Sequence, residues 1–197
     1  MTKIGLISDT HNYLDETVFE HFKDCDEVWH AGDFGSIELL NGLTSRLTML
    51  KDKIDTHDLT SRLTMLKDKI DTHGQTGRQT MVRGVYGNID GQDIRNIYPQ
   101  QQVFTCEGVK VMMRHIGGYP PKYNPETKKE LLLHHPQIFI SGHSHILKIM
   151  YDDKLDCLHM NPGAAGKQGM HKMRTLIRFV IDGTEIKDCE VIELGKR

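Results

Sequence analysis

Ile138-Phe139-Ile140-Ser141-Gly142-His143-Ser144-His145 couples three consecutive apolar residues to two histidines separated by one small residue. The apolar run predicts a short strand buried on both faces, and Ser-Gly ends it. Two imidazoles at i and i+2 on a strand exit reach two neighbouring points in space. Neutral imidazole is a common metal ligand, suited to Mn, Fe, Zn, Co or Ni. A buried strand emptying into a polar loop also predicts an α/β sheet, whose sites lie beyond the carboxyl ends of its strands.

The same pattern recurs upstream. Lys3 to Ser8 reads as a buried strand ending on Asp9-Thr10-His11, a carboxylate and an imidazole again offset by two. Asp15 to Phe22 follows as a helix. Glu27-Val28-Trp29 is a second strand closing on His30-Ala31-Gly32-Asp33, in which His30 reads as a histidine satisfied at the core edge. Ser36 caps a helix starting at Ile37. Thr80 to Tyr86 resumes the sheet and ends on Gly87-Asn88-Ile89-Asp90-Gly91, which has the composition of a turn. Gln102 to Cys106 and Val109 to Arg114 form a hairpin whose second strand runs into His115. A helix spans about Pro125 to His134, and His134 and His135 suit its negative C-terminal end. Leu147–Tyr151, Leu155–His159, Thr175–Ile181 and Glu185–Ile192 alternate as antiparallel strands and are expected to make a second sheet, with Asn161-Pro162-Gly163-Ala164-Ala165-Gly166 a rigid loop between them.

Between the second and third strands lies a tandem duplication. Leu43 to Asp58 is repeated as Leu59 to Gly74 with only the last residue changed. Each copy has apolar residues at helical spacing, Leu43, Leu47, Leu50 and Ile54 in the first, and Leu59, Leu63, Leu66 and Ile70 in the second. A sixteen-residue shift rotates the second stripe by roughly 160°. One unbroken helix would therefore show apolar faces on nearly opposite sides. The expectation is either a break near Thr56-His57-Asp58, giving a helical hairpin, or one docked copy with the other exposed, flexible or used in self-association as a homo-oligomer. His57 and His73 read as solvated.

A chain of 197 residues with 38% apolar content suits one domain spanning residues 1–197, with 43–74 as an insertion. A formal charge of −2 argues against stable nucleic-acid binding. Neither a signal-like start nor a membrane-spanning apolar run is evident, which predicts a soluble protein of the cytoplasm. Cys25, Cys106, Cys157 and Cys189 lack metal or redox spacing and read as reduced thiols.

The strand ends together supply Asp9, His11, Asp33, Asn88, His115, His143 and His145, seven oxygen and nitrogen donors from five strand exits. Their order, Asp-x-His, Gly-Asp, Gly-Asn, a lone His and Gly-His-x-His, resembles the calcineurin-like metallophosphoesterase superfamily. Outside Leu43 to Gly74, the chain is similar to its small single-domain phosphodiesterases of bacteria and archaea, including Ser8-Asp9-Thr10-His11, His30-Ala31-Gly32-Asp33 and Asn161-Pro162-Gly163-Ala164. The resemblance implies an α/β fold, a four-layer α/β/β/α sandwich of two mixed sheets flanked by helices. It also implies a dinuclear centre in which Asp9, His11, Asp33 and His145 hold one divalent cation, and Asp33, Asn88, His115 and His143 the other. Asp33 would bridge, and Asn88 would help neutralise the phosphoryl oxygens. Mn²⁺ is the first expectation, with Fe, Zn, Co or Ni as alternatives. A hydroxide shared by the cations would attack a small-molecule phosphodiester in line. Larger members of the superfamily carry a proton-donating His after the metal-binding Asn, where this chain has Ile89. The alternative is a phosphoesterase-fold scaffold that binds proteins, as the similar retromer subunit does.

Overall fold

The computed structural model describes residues 1–47 and 80–197. Two five-stranded sheets face one another. The first contains β1 (Thr2–Ile7), β2 (Glu27–His30), β3 (Met81–Gly84), β11 (Met173–Asp182) and β12 (Glu185–Lys196), ordered β12-β11-β1-β2-β3. The second contains β4 (Gln101–Cys106), β5 (Val109–Arg114), β8 (Ile138–Ile140), β9 (Leu147–Asp152) and β10 (Cys157–Pro162), ordered β4-β5-β8-β10-β9. A small ribbon pairs β6 (Gly118–Tyr119) with β7 (Lys122–Tyr123). Both sheets are mixed: β1, β2 and β3 run parallel in one, and β5, β8 and β10 in the other, with antiparallel partners outside.

Period-two alternation explains the layers. Ile4, Leu6, Trp29, Val111, Met113, Ile138, Ile140 and Ile177 point between the sheets and form the main core. The opposite face of β1 and β2, through Ile7 and Val28, packs on Val18, Phe19 and Phe22 of α1 (Glu16–Phe22). It also meets Leu43 and Leu47 of α2, helical over 37–47. Met112, Phe139 and Cys157 cover the outer face of the second sheet with Leu131 of α4 (Pro125–His134). The result is the expected order of helix, sheet, sheet and helix. Asp15 caps α1 by accepting from Thr17 N–H, and Asn124 caps α4 by accepting from Thr127 N–H. His135 ends α4 in a left-handed conformation.

One expectation is corrected. The four C-terminal strands do not form a sheet of their own. β9 and β10 complete the second sheet, because β10 pairs parallel with β8, whereas β11 and β12 extend the first, because β11 pairs antiparallel with β1. Burial gives the reason: β11 hides residues on both faces and must sit inside a sheet, whereas β9 is largely exposed and suits an edge. A short helix not anticipated, α3 (Gln92–Ile97), sends Ile94 against Phe34, Leu40 and Tyr98. Leu43 and Leu47 belong to the first repeat copy; the remainder of the duplication, with the expected break, His57 and His73, lies outside the described residues. Cys25, Cys106 and Cys157 are buried, and Cys189 is exposed. Among the described residues no helix is long and apolar enough to cross a membrane.

Candidate metal centre

The seven donors follow the carboxyl ends of five strands: Asp9 and His11 after β1, Asp33 after β2, Asn88 after β3, His115 after β5, and His143 and His145 after β8. Six of them assemble as two groups. Ligand atoms of Asp9, His11 and His145 lie within 4.8 Å of one another, and so do those of Asp33, His115 and His143. Asn88 stands beside His115 in the wall of an adjoining cleft.

The backbone is bent to achieve this. Asp9, His11, Asp33, His143 and His145 have φ of 54°, 47°, 57°, 66° and 58°, a left-handed conformation costing roughly 1–2 kcal/mol per residue. Its concentration at these five positions marks a place where geometry is maintained against local preference. In each Asp-x-His or His-x-His pair, both donors turn this way, which curls the loop and brings i and i+2 together. Pairing between the two loops continues past the strands, Asp9 N–H donating to Gly32 O at 2.9 Å and His11 N–H to Asp33 O at 3.1 Å. Two glycines are required by close approach: a Cβ at Gly87 would overlap the Asp33 carboxylate, and one at Gly142 would overlap Ser8 Oγ.

Both carboxylates are held the same way. Asp9 Oδ2 accepts from Ser8 Oγ (2.6 Å) and His143 N–H (3.1 Å), leaving Oδ1 toward His145 Nε2 at 3.1 Å. Asp33 Oδ1 accepts from Ile89 N–H (3.0 Å), leaving Oδ2 3.3 Å from His115 Nε2 and 3.7 Å from His11 Nε2. One oxygen is scaffolded and the other is presented. His115 Nδ1–H donates to Ala31 O at 2.7 Å, which turns the Nε2 lone pair inward.

Charge in the site follows. Burial opposes a charged His115, but the Asp33 carboxylate 3.3 Å from its Nε2 and the charge of Asp9 outweigh this and raise its pKa. The Asp9 carboxylate, whose Oδ1 lies 3.1 Å from His145 Nε2, likewise raises the pKa of His145. Burial lowers His11 and His143. Burial would raise the Asp33 carboxyl, yet His115 and the Ile89 N–H hold it below its ordinary value. Positive charge is thus favoured at His115 and His145, beside the carboxylates, and disfavoured at His11 and His143. Asp9 Oδ1 and His115 Nε2 are buried without a hydrogen-bond partner. A carboxylate oxygen and an imidazole lone pair facing each other at 3.9 Å are unfavourable unless a cation lies between them. The mixed oxygen and nitrogen donors suit first-row divalent ions. The residues present fit such a group.

The sequence profile of the calcineurin-like phosphoesterase superfamily domain matches residues 2–76 and 67–184, two stretches that overlap at the end of the duplication. The chain belongs to this superfamily. A probable metallophosphoesterase of Methanothermobacter thermautotrophicus is 24% identical over 98% of this chain and 92% of its own. Among solved structures, an archaeal phosphodiesterase superposes with a TM-score of 0.65 at 19% identity, covering 98% of this chain and 99% of that one. Vps29 of Chaetomium thermophilum gives 0.65 at 11% identity, covering 98% and 97%. This phosphoesterase therefore has relatives of its own small size, which share its two-sheet fold.

Several residues outside the seven donors shape the site. Asp90, read as part of a turn, is buried and accepts from Asp33 N–H (3.0 Å), Gly87 N–H (2.7 Å) and Gly35 N–H (2.9 Å). It ties the loop carrying Asp33 to the loop carrying Asn88. Asn161 donates to Gly142 O (2.9 Å) and Ser144 Oγ (3.2 Å) and accepts from Gly163 N–H (3.0 Å), pinning the His143–His145 loop. The small-residue loop after it closes on β1, with Ala165 N–H donating to Ser8 O and Gly166 N–H to Asp9 O, both at 3.0 Å. His171 packs its ring 5.3 Å from that of His145. His30 has a structural part, as its sequence reading expects: its Nδ1 accepts from Gly32 N–H (3.2 Å), so its Nε2–H donates to Thr10 Oγ1 (3.0 Å), and burial pushes its pKa down to about 3.

Proposed function

We propose that this phosphoesterase hydrolyses small-molecule phosphodiesters, with Asp9, His11, Asp33 and His145 holding one divalent cation and Asp33, Asn88, His115 and His143 holding a second. The observation that carries this reading is the position of Asp33, whose Oδ2 faces a histidine of each group, at 3.7 Å from His11 Nε2 and 3.3 Å from His115 Nε2. Such a carboxylate suits a bridge. A bound cation pair supplies Lewis-acid stabilisation of the phosphoryl oxygens and a nucleophile competent near neutral pH. Mn²⁺ is the first choice of metal, and Fe, Zn, Co and Ni suit the same donors.

The chain contributes orientation and charge. Four neutral imidazoles balanced against two carboxylates leave a loaded site net positive toward a phosphate. The Asn88 carboxamide donates a hydrogen bond that helps neutralise charge on a phosphoryl oxygen. Ile89, 45% exposed beside it, has no proton to give a departing alkoxide. Proton donation is worth typically 10² to 10⁴ in rate, so good leaving groups are favoured.

With Mn²⁺-loaded protein, bis(p-nitrophenyl) phosphate is expected to be cleaved faster than p-nitrophenyl phosphate. Cleavage of neither diester nor cyclic nucleotide by a fully loaded sample would remove this reading. The likeness to Vps29 supports a second reading, a protein-binding scaffold; the complete donor set and the two unpartnered ligand atoms favour hydrolysis.

A further inference from the structure

The walls of the cleft next to the centre include Tyr86, Asn88, Arg95, Arg114, His115 and Ile116. Its lining holds two guanidinium groups and no carboxylate, in a chain of formal charge −2. The two arginines differ. Arg114 is buried and matched, donating to Glu126 Oε2 at 2.6 Å and to Gln101 Oε1 at 3.4 Å. Arg95 has no carboxylate partner among the described residues.

Arg95 is nonetheless held in place. Its guanidinium lies over the Tyr86 ring, 4.7 Å from the centroid, while Nε donates to Asp90 O at 2.8 Å and Nη2 contacts Asn88 O at 3.4 Å. Five N–H donors with two so engaged leave three for a ligand. Stacking fixes the plane of the fork, so little side-chain freedom is lost on binding. The backbone groups that hold it belong to the loop that carries Asn88. A cation presented in this way, in a cleft shared with His115 and Asn88, suits bidentate recognition of a phosphate.

We propose that this cleft is a subsite for a second phosphate of the substrate, so that the preferred substrate is a phosphodiester bearing an additional phosphomonoester. Arg95 receives that phosphate. Tyr86 and the loop carbonyls aim Arg95, and Ile116, 43% exposed, offers an apolar ledge to the body of the substrate. The inference rests on the phosphodiesterase reading above and adds a substrate class to it.

The test compares p-nitrophenyl thymidine 5′-phosphate with its analogue carrying an additional 3′-phosphate, both releasing the same nitrophenolate. Mn²⁺-loaded protein is expected to favour the 3′-phosphorylated substrate in kcat/KM on the order of tenfold, mainly through KM. Arg95→Gln collapses that ratio to near one, and Arg95→Lys restores part of it. Calorimetry gives a readout without turnover: thymidine 3′,5′-bisphosphate binds about tenfold more tightly than thymidine 5′-phosphate, and Arg95→Gln removes the difference. A ratio near one in the parent, or a parent ratio that survives Arg95→Gln while both rates fall together, overturns the proposal and leaves Arg95 as a support for the Asn88 loop. Loss of bis(p-nitrophenyl) phosphate cleavage in the loaded parent is a different result, which removes the hydrolase reading itself.

Discussion

The two sheets build their halves of the centre in parallel ways but from different chemistry. Each offers the carboxyl ends of three adjacent parallel strands, β1-β2-β3 in one and β5-β8-β10 in the other. Each has a buried pin, Asp90 in the first and Asn161 in the second. Each also has a buried neutral histidine beneath its loops, His30 and His159. The first sheet, however, supplies both carboxylates and the carboxamide, whereas the second supplies only imidazoles, His115, His143 and His145. Both ligand groups draw on both sheets. In the proposed centre, the anionic charge that would hold cations is thus concentrated on one sheet edge, and the opposite edge would complete the coordination. Substitutions on the first edge are expected to cost more than those on the second.

The largest effect should come from Asp33→Asn. It keeps size and the scaffolded oxygen but removes the charge facing both groups, and the expected loss of bis(p-nitrophenyl) phosphate hydrolysis is on the order of 10³-fold or more. Bound metal, measured by elemental analysis, falls below that of the parent. His143→Asn on the second edge retains more of both metal and rate. If His143→Asn proved the more damaging, the asymmetry between the edges would be wrong.

The pins give a smaller contrast. Asp90→Asn leaves one oxygen to serve three N–H groups that the carboxylate now shares, loosening the Asp33 and Asn88 loops together. Metal affinity should drop by roughly 10- to 100-fold, in the range seen when partners of metal ligands are removed. Asn161→Ala frees only the His143–His145 loop and should fall at or below the lower end of that range. Metal titration of both variants measures the difference, and equal losses would show that the two edges are held with equal consequence.

The pins also show where sequence reading stops. The donors after β1, β2, β5 and β8 were legible because each follows a short, mostly buried strand, where a polar residue has few structural reasons to be. Ile138-Phe139-Ile140 before His143 is the clearest instance. Asp90 was not legible, because Asn-x-Asp-Gly has the composition of a turn and its three backbone donors come from residues as far away as Asp33 and Gly35. The sheet assignment of β9 to β12 failed for a related reason. Alternation identifies a half-buried strand but says nothing of its neighbours, and β10 joins β8 across an intervening strand while β11 returns to β1 at the other end of the chain. His171 beside His145 depends on the path of a loop, which carries no periodic signal.

The buried histidines provide the finest comparison, through acid. His159 lies under the second edge, its Nε2 3.0 Å from Ser141 Oγ. Burial, with the charge of Lys148 adding to it, pushes its pKa down from 6.5 to about 4. In the unfolded chain the same group has its ordinary value. Between pH 6.5 and about 4, the unfolded state therefore binds a proton that the folded state refuses. This favours unfolding increasingly as pH falls, at about 1.4 kcal/mol per pH unit. The penalty is absent above 6.5 and stops growing below about 4. His159→Asn removes that titration while retaining a donor toward Ser141. The variant is expected to be less stable at pH 7, through lost packing, yet its stability should decline less steeply across the window. The difference in slope between parent and variant in urea unfolding should approach the same 1.4 kcal/mol per unit. His30, pushed further down to about 3, continues to refuse its proton below the pH at which His159 accepts one, so the acid limb of the variant persists but is shallower. Parallel curves for parent and variant would mean that His159 protonates in the folded protein at its ordinary value, and that the second edge is more open to water than its burial indicates.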